Sequence, residues 1–326
     1  MPLTGPPRPL NFIFWRASGF RRQRNPQYKP DAMNELAAQL RTITQDDAFA
    51  DYEALCATDP ETIKHTSNKG NRAADYFFFA HRIQTKTRKG ISFPEWLQTN
   101  ECEKPYYDKL IKHIVSKGNS LLYAKFRAFG LYSGSGTISA FKPLIARWLY
   151  AKYSPTTILD FSAGWGGRCL AAMSLDINYI GFDTNTALTS SYNEMINTYP
   201  HESKTEIIFA DSSAIDYSAY EYDMVFTSPP YFVKNAPTER YENMPHYENK
   251  DDFNQRFFFP VVQKTFKHLK RGGIYALNIP IAMYEDIQPI LGACTEKHPL
   301  VLANRCMKKK EFGGEYKEYI YVWRKN

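Results

Sequence analysis

A serine, two prolines and a tyrosine stand in succession, Ser228-Pro229-Pro230-Tyr231, directly after the apolar run Tyr222-Asp223-Met224-Val225-Phe226-Thr227. Each proline fixes its own φ and lacks an N–H, so the tetrapeptide builds a rigid turn whose free polar groups are the Ser228 hydroxyl and the Pro229 carbonyl. Both can accept hydrogen bonds, which suits an aromatic amino group. The nitrogen lone pair of such a group is delocalised into its ring, and accepting its N–H bonds pulls it towards a tetrahedral, nucleophilic form. Tyr231 adds a π-face for a base, a contact worth roughly 1–3 kcal/mol in proteins that hold single strands. The plainer reading is a Pro-Pro loop after a buried strand.

A second set of residues could hold the other reactant. Thr157-Ile158-Leu159-Asp160-Phe161-Ser162 reads as a short buried strand, and Ala163-Gly164-Trp165-Gly166-Gly167-Arg168 as the turn into a helix that begins near Cys169. Asn178 to Asp183 is the next strand, and Asp183 falls at the distance from Gly164 at which an acidic residue meets ribose hydroxyls in a βαβ nucleotide site. A third strand, Glu206 to Ala210, leads into Asp211. Asp160, Asp183 and Asp211 thus gather at the carboxyl edge, where open α/β sheets bind ligands. A dinucleotide enzyme is the rival, but the glycine pattern ends in Cys169 where its fingerprint wants a third glycine. Hydride transfer also has no use for the Ser-Pro-Pro-Tyr turn.

Together the two motifs resemble those of the S-adenosylmethionine-dependent amino-methyltransferases of DNA, over roughly residues 126–326. That resemblance implies an α/β, Rossmann-like methyltransferase fold with a mixed seven-stranded sheet and an antiparallel C-terminal hairpin. It implies S-adenosyl-L-methionine as cofactor and Ser228, Pro229, Pro230 and Tyr231 as the catalytic turn. Asp160, Gly164 and Gly166 would line the methionine half of the cofactor, Asp183 its ribose and Asp211 its adenine. Ser162, Ala163 and Ser212 join them as cofactor-binding residues. Phe141-Lys142-Pro143 resembles the family's motif that precedes the glycine loop and closes over the cofactor. Serine in first place resembles the cytosine-N4 branch, although its hydroxyl would suit adenine N6 equally well. An RNA base, a small-molecule substrate and a catalytically silent nucleic-acid-binding scaffold are further alternatives. Little room remains after Tyr231 for a separate target-recognition domain.

The rest of the chain must position these residues. With 326 residues and 43% hydrophobic content it can bury a full α/β core and carry a further helical part. Residues 1–32 hold six basic residues before the first acid and read as a flexible basic tail; residues 33–125 read as mainly helical, with helices over Asn34 to Thr42 and Tyr107 to Ser116. Between them, Tyr76-Phe77-Phe78-Phe79 precedes Arg82, Lys86, Arg88 and Lys89, which reads either as a core helix followed by a solvated loop or as a surface that holds a strand. The net charge of +7 suits a polyanionic partner, here DNA as a duplex with a flipped base or as a single strand.

Downstream, the polar segment Phe232 to Asn254 is too long for a tight connection and could cover the target base. A helix over Phe257 to Leu269, a strand over Ile274 to Ile279 and a hairpin of Leu300 to Cys306 with Tyr316 to Trp323 complete the sheet. Lys308 to Lys310 read as a solvated turn or a phosphate contact. Five cysteines without CxxC spacing and seven histidines without HxH or HxxxH pairing point to no metal centre and to a reducing interior. No apolar run reaches the roughly 18 residues of a membrane span. The expected setting is intracellular, in the cytoplasm or a eukaryotic nucleus, and compact enzymes of this kind resemble those of phages and large DNA viruses.

Overall fold

The computed structural model describes residues 32–62, 67–133, 138–233, 236–237, 239–240, 243–300 and 318–326. The basic tail up to residue 31 and Lys308 to Lys310 lie outside them. Among the described residues six α-helices come first: α1 (Ala32–Leu40), α2 (Gln45–Cys56), α3 (Asn71–Gln84), α4 (Phe93–Leu97), α5 (Pro105–Val115) and α6 (Leu121–Tyr132), with the short strand β1 (Lys86–Thr87) after α3. Their starts follow from local chemistry. Thr44 with Asp47 and Ser92 with Glu95 form reciprocal capping boxes for α2 and α4, each satisfying two backbone donors that a helix start leaves open. Pro105 occupies the first turn of α5, where its missing N–H costs nothing.

The remaining elements are α7 (Pro143–Tyr153), β2 (Thr157–Asp160), α8 (Gly167–Met173), β3 (Asn178–Asp183), α9 (Thr189–Thr198), β4 (Thr205–Phe209) and β5 (Met224–Thr227). After these come β6 (Phe232–Val233), β7 (Ala236–Pro237), β8 (Glu239–Arg240), α10 (Lys250–Phe253), α11 (Phe259–His268), β9 (Ile274–Ile279), α12 (Ile281–Leu291), β10 (Glu296–Leu300) and β11 (Glu318–Arg324). Seven strands form one sheet in the order β10-β11-β9-β5-β2-β3-β4. From β9 to β4 neighbours run parallel, while β11 lies antiparallel to both β9 and β10. This is the Rossmann-like sheet with an antiparallel C-terminal hairpin expected of methyltransferases.

Alternate residues of the central strands feed two cores. Ile158, Met224, Phe226 and Ala276 pack on one face with α7, α8 and α9, and Leu159, Val225, Tyr275 and Leu277 pack on the other with α11 and α12. Strands covered on both faces need apolar side chains throughout, which is why these runs read as continuously hydrophobic. The first face also takes Tyr52 and Leu55 of α2 and Phe77 and Phe78 of α3. Helices α4 to α6 close a separate cluster around Phe93, Trp96 and Phe129.

Most element bounds shift by one or two residues from expectation, and three differences bear on the site or the sheet. Strand β2 ends at Asp160, and Phe161 and Ser162 already belong to the turn. The helix expected from Phe257 starts at Lys250, where the Asn249 side chain accepts from the Asp252 N–H; it passes through a π turn, Asn254–Phe258, into α11. Pro260 lacks the N–H that would continue a regular α ladder there. The first strand of the final hairpin lies at Glu296–Leu300, N-terminal to the expected Leu300 to Cys306, whose remainder is outside the described residues. Its sequence Glu-Lys-His-Pro-Leu has no apolar alternation because it is an edge strand, where proline and charge are tolerated. Among the described residues no helix is long and apolar enough to cross a membrane.

Candidate active site

Because β2, β3, β4 and β5 are parallel, their carboxyl ends meet at one edge. Asp160, Asp183, Asp211 and Ser228 all lie there, at the last residue of a strand or within two residues beyond it. A narrow open cleft at this edge is lined by Phe161, Ser162, Asp183, Asp211, Ser212 and Pro230 from the strand ends, together with Tyr247, Phe253 and Phe257.

The glycine loop is held from three directions. Asp183 Oδ2 accepts the Gly164 N–H at 2.7 Å, and its Oδ1 accepts the Asn185 N–H at 2.8 Å. The Tyr192 hydroxyl donates to the Gly164 carbonyl at 2.9 Å and accepts from the Gly166 N–H at 3.2 Å. Gly166 has φ +74°, and a Cβ there would stand 2.4 Å from the Phe78 ring. Gly167 lies so close to the Phe141 carbonyl that a Cβ would approach its oxygen to 2.1 Å. Glycine is therefore demanded by the packing of α3 and of the Phe141-Lys142-Pro143 segment against the loop.

Asp160 and Asp183 have different surroundings. Asp160 is wholly buried; it accepts Arg168 Nε at 2.6 Å, the Tyr179 hydroxyl at 2.6 Å and the Ser162 N–H at 3.1 Å. It sits beneath the loop as an anchor and contributes nothing to the lining of the cleft. Asp183 reaches the cleft, and burial pushes its carboxyl up to about 6 against the opposing effect of its two backbone donors. Each of its oxygens has a lone pair beyond those bonds, so it can still accept hydroxyls. Ser212 Oγ donates to the Phe161 carbonyl at 2.6 Å, and Asp211 Oδ1 accepts the Ser213 N–H at 2.9 Å, ordering the corner after β4. Ala163 is buried, with its N–H donating to the Phe182 carbonyl at 2.8 Å. Phe141 stands under the Arg168 guanidinium, 5.5 Å from ring centroid to Cζ, and edge-on to Phe226. Lys142 and Pro143 start α7.

The Ser-Pro-Pro-Tyr turn is organised by a residue that motif reading missed. Ser228 Oγ donates to Asn278 Oδ1 at 3.2 Å, and the Tyr231 hydroxyl lies 3.1 Å from Ser228 Oγ and 3.0 Å from Asn278 Oδ1. Asn278 Nδ2 donates to the Tyr319 carbonyl at 3.3 Å, which fixes the amide oxygen towards Ser228. With its proton committed to Asn278, Ser228 keeps a lone pair as acceptor. The signal was present in the sequence: one amide in an otherwise apolar strand, 2% exposed, is a buried polar group that must have partners.

The segment after the turn crosses the glycine loop. Strand β8 pairs with β1, Thr87 opposite Glu239, and the Trp165 indole N–H donates to Glu239 Oε2 at 3.3 Å. Asn243 Nδ2 donates to Thr186 Oγ1 at 2.6 Å. Of the basic residues read as possible phosphate contacts, Arg82 is buried and ion-paired with Asp75, because α3 turns that face inward. Lys86 pairs with Glu95 at 3.2 Å, and Lys89 lies 3.8 Å over the Tyr132 ring.

No protein-family model and no curated protein sequence matches this chain. Among solved structures it is similar to TrmN from Thermus thermophilus, at 16% identity over 58% of this chain and 50% of that one, with a TM-score of 0.41. It is also similar to the 16S rRNA N2 G1207 methyltransferase RsmC of T. thermophilus, at 17% identity over 59% and 44% of the two chains and a TM-score of 0.38. An rRNA methylase from Streptococcus thermophilus, 13% identical over 58% of this chain and all of its own, has a TM-score of 0.37. The match thus spans half the length of the first of these chains.

Proposed function

We propose that the chain transfers a methyl group from S-adenosylmethionine to an exocyclic amino group of a DNA base, N4 of cytosine first among them. The observation that carries this reading is the placement of the Ser228-Pro229-Pro230-Tyr231 turn beside the Asp183 and Asp211 strand ends, with Pro230 lining the same cleft as both acids. The cleft residues fit the cofactor. Asp183 offers acceptors to a ribose diol, Phe161, Tyr247 and Phe257 offer apolar walls to a purine, and Asp211 with Ser212 lies at the end where an adenine amino group would be read. The glycine loop, held open by Tyr192 and Asp183, would meet the amino-acid half, with Asp160 acting through Arg168 and the loop backbone. When bound, the cofactor supplies a methyl already activated on a sulfonium.

The protein's own task is then orientation. The Ser228 hydroxyl, its proton directed to Asn278, and the Pro229 carbonyl accept the two N–H bonds of the target amine and aim its nitrogen at the methyl group. Holding the reacting atoms about 3–3.5 Å apart and in line supplies much of the rate. The proton released after attack passes to solvent, directly or by relay through the Ser228 hydroxyl, which gives up its own proton as it takes the new one. Adenine N6 is the second reading, favoured by the same observation, since an acceptor pair does not distinguish the two amines. The target base leaves its stack at a cost of a few kcal/mol.

A Ser228→Ala variant tests the assignment. It is expected to bind S-adenosylmethionine as the parent does and to lose about 10²-fold or more in methyl transfer to DNA. Undiminished transfer would overturn the role given to the turn.

A further inference from the structure

Glu239 has no part in the motifs, yet the fold carries it to the cofactor loop. It lies on β8, opposite Thr87 of β1, and its carboxylate accepts the indole N–H of Trp165, the residue between Gly164 and Gly166. Two cations lie close enough to favour its charge, Arg82 and Arg168, while Asp183 opposes it. Arg168 is engaged with Asp160, and Arg82 shares Asp75 with Arg41. Among the described residues no lysine or arginine forms an ion pair with Glu239 or Asp183. With Arg41, Arg82 and Arg168 set against Asp75, Asp160, Asp183 and Glu239, the surroundings of the loop hold one carboxylate in excess of their cations.

From this placement we infer that Glu239 is a cofactor-binding residue, its carboxylate receiving the α-ammonium group of the methionine half of S-adenosylmethionine. The inference rests on the cofactor assigned above. The charge balance agrees with it: the cofactor brings an ammonium and a sulfonium against a single carboxylate, a net single positive charge that the one surplus carboxylate beside the loop offsets. Burial pushes the Glu239 carboxyl up to about 7. Because β8 follows the catalytic turn and pairs with β1, this contact also ties cofactor binding to the strand-end edge that holds Ser228.

The test compares the full-length parent and Glu239→Gln by calorimetric titration with two ligands. S-adenosylhomocysteine keeps the α-ammonium, and 5′-methylthioadenosine lacks the whole amino-acid moiety. Glutamine keeps the shape and can still accept from Trp165, so the melting temperature of the ligand-free variant should not fall. The inference predicts that Glu239→Gln weakens S-adenosylhomocysteine about tenfold or more, the value of a hydrogen-bonded charge, and leaves 5′-methylthioadenosine unchanged. Equal affinity for S-adenosylhomocysteine in the two proteins would overturn it, as would parallel weakening of both ligands, which would mark a merely structural role. A parent protein that binds neither ligand would instead remove the cofactor reading, and this inference with it.

Discussion

Ser228 Oγ and Asn278 Oδ1 lie 3.2 Å apart at the ends of two neighbouring parallel strands, β5 and β9. That relationship turns a serine, which can donate or accept, into an acceptor with a fixed direction. Tyr231 closes the triangle through its own bonds to the Asn278 carbonyl and amide oxygens, both at 3.0 Å.

Replacing Asn278 with leucine should leave cofactor affinity in place and lower kcat about tenfold to a hundredfold, because a freely rotating Ser228 hydroxyl misaligns the amine. Single-turnover methyl transfer alongside cofactor titration separates the two effects. Loss of affinity with kcat retained would contradict the positioning role.

The Asp160 anchor should matter to stability more than to chemistry. Asp160→Ala strands Arg168, which is 4% exposed, and removal of one partner of a buried pair costs about 3–5 kcal/mol. Tyr179→Phe removes one hydrogen bond to the same carboxylate and should cost about 2 kcal/mol. Urea unfolding of both variants checks the ordering.

Two glycines separate crowding from backbone strain. Gly167→Ala forces a Cβ to 2.1 Å from the Phe141 carbonyl oxygen, where only backbone movement relieves the clash, and should destabilise by about 2 kcal/mol or more. Gly272→Ala meets no atom within 4 Å but has φ +76°, so its cost should be about 1 kcal/mol.

Acidity supplies a further check. Burial pushes Asp183 up to about 6 and Glu239 up to about 7, against about 4 in the unfolded chain. Both groups hold protons more tightly when folded. The stability they contribute is fully present below about pH 4 and is lost as pH rises through about 6 to 7. The melting temperature of the ligand-free protein should therefore fall between about pH 5 and 8, and Glu239→Gln should show a shallower fall. An identical slope in the variant would contradict the raised Glu239 carboxyl.

Much of the fold was legible because parallel strands covered on both faces must be continuously apolar, as Ile158-Leu159 and Met224-Val225-Phe226 are. The strand-end acids and the Ser-Pro-Pro-Tyr turn were legible because their chemistry depends on local spacing. What escaped depends on pairing across the chain. Tyr192 holds the glycine loop from α9, Asn278 orients Ser228 from β9, and Glu239 meets Trp165 only because β8 returns to pair with β1. The edge strand Glu296–Leu300 escaped for the opposite reason, since an edge needs no apolar alternation to hold its place. The segment after the turn, read as able to cover the target base, contributes Tyr247 and Phe253 to the wall of the cleft that Asp183, Asp211 and Pro230 also line.

The central claim is tested most directly by mass spectrometry of nucleosides from genomic DNA and RNA incubated with the protein and deuterated-methyl S-adenosylmethionine. Labelled N4-methylcytosine from DNA is the predicted result, lost in Ser228→Ala, and labelled N6-methyladenine would keep the mechanism while moving the target. No labelled base amine from a protein that binds the cofactor would contradict the account.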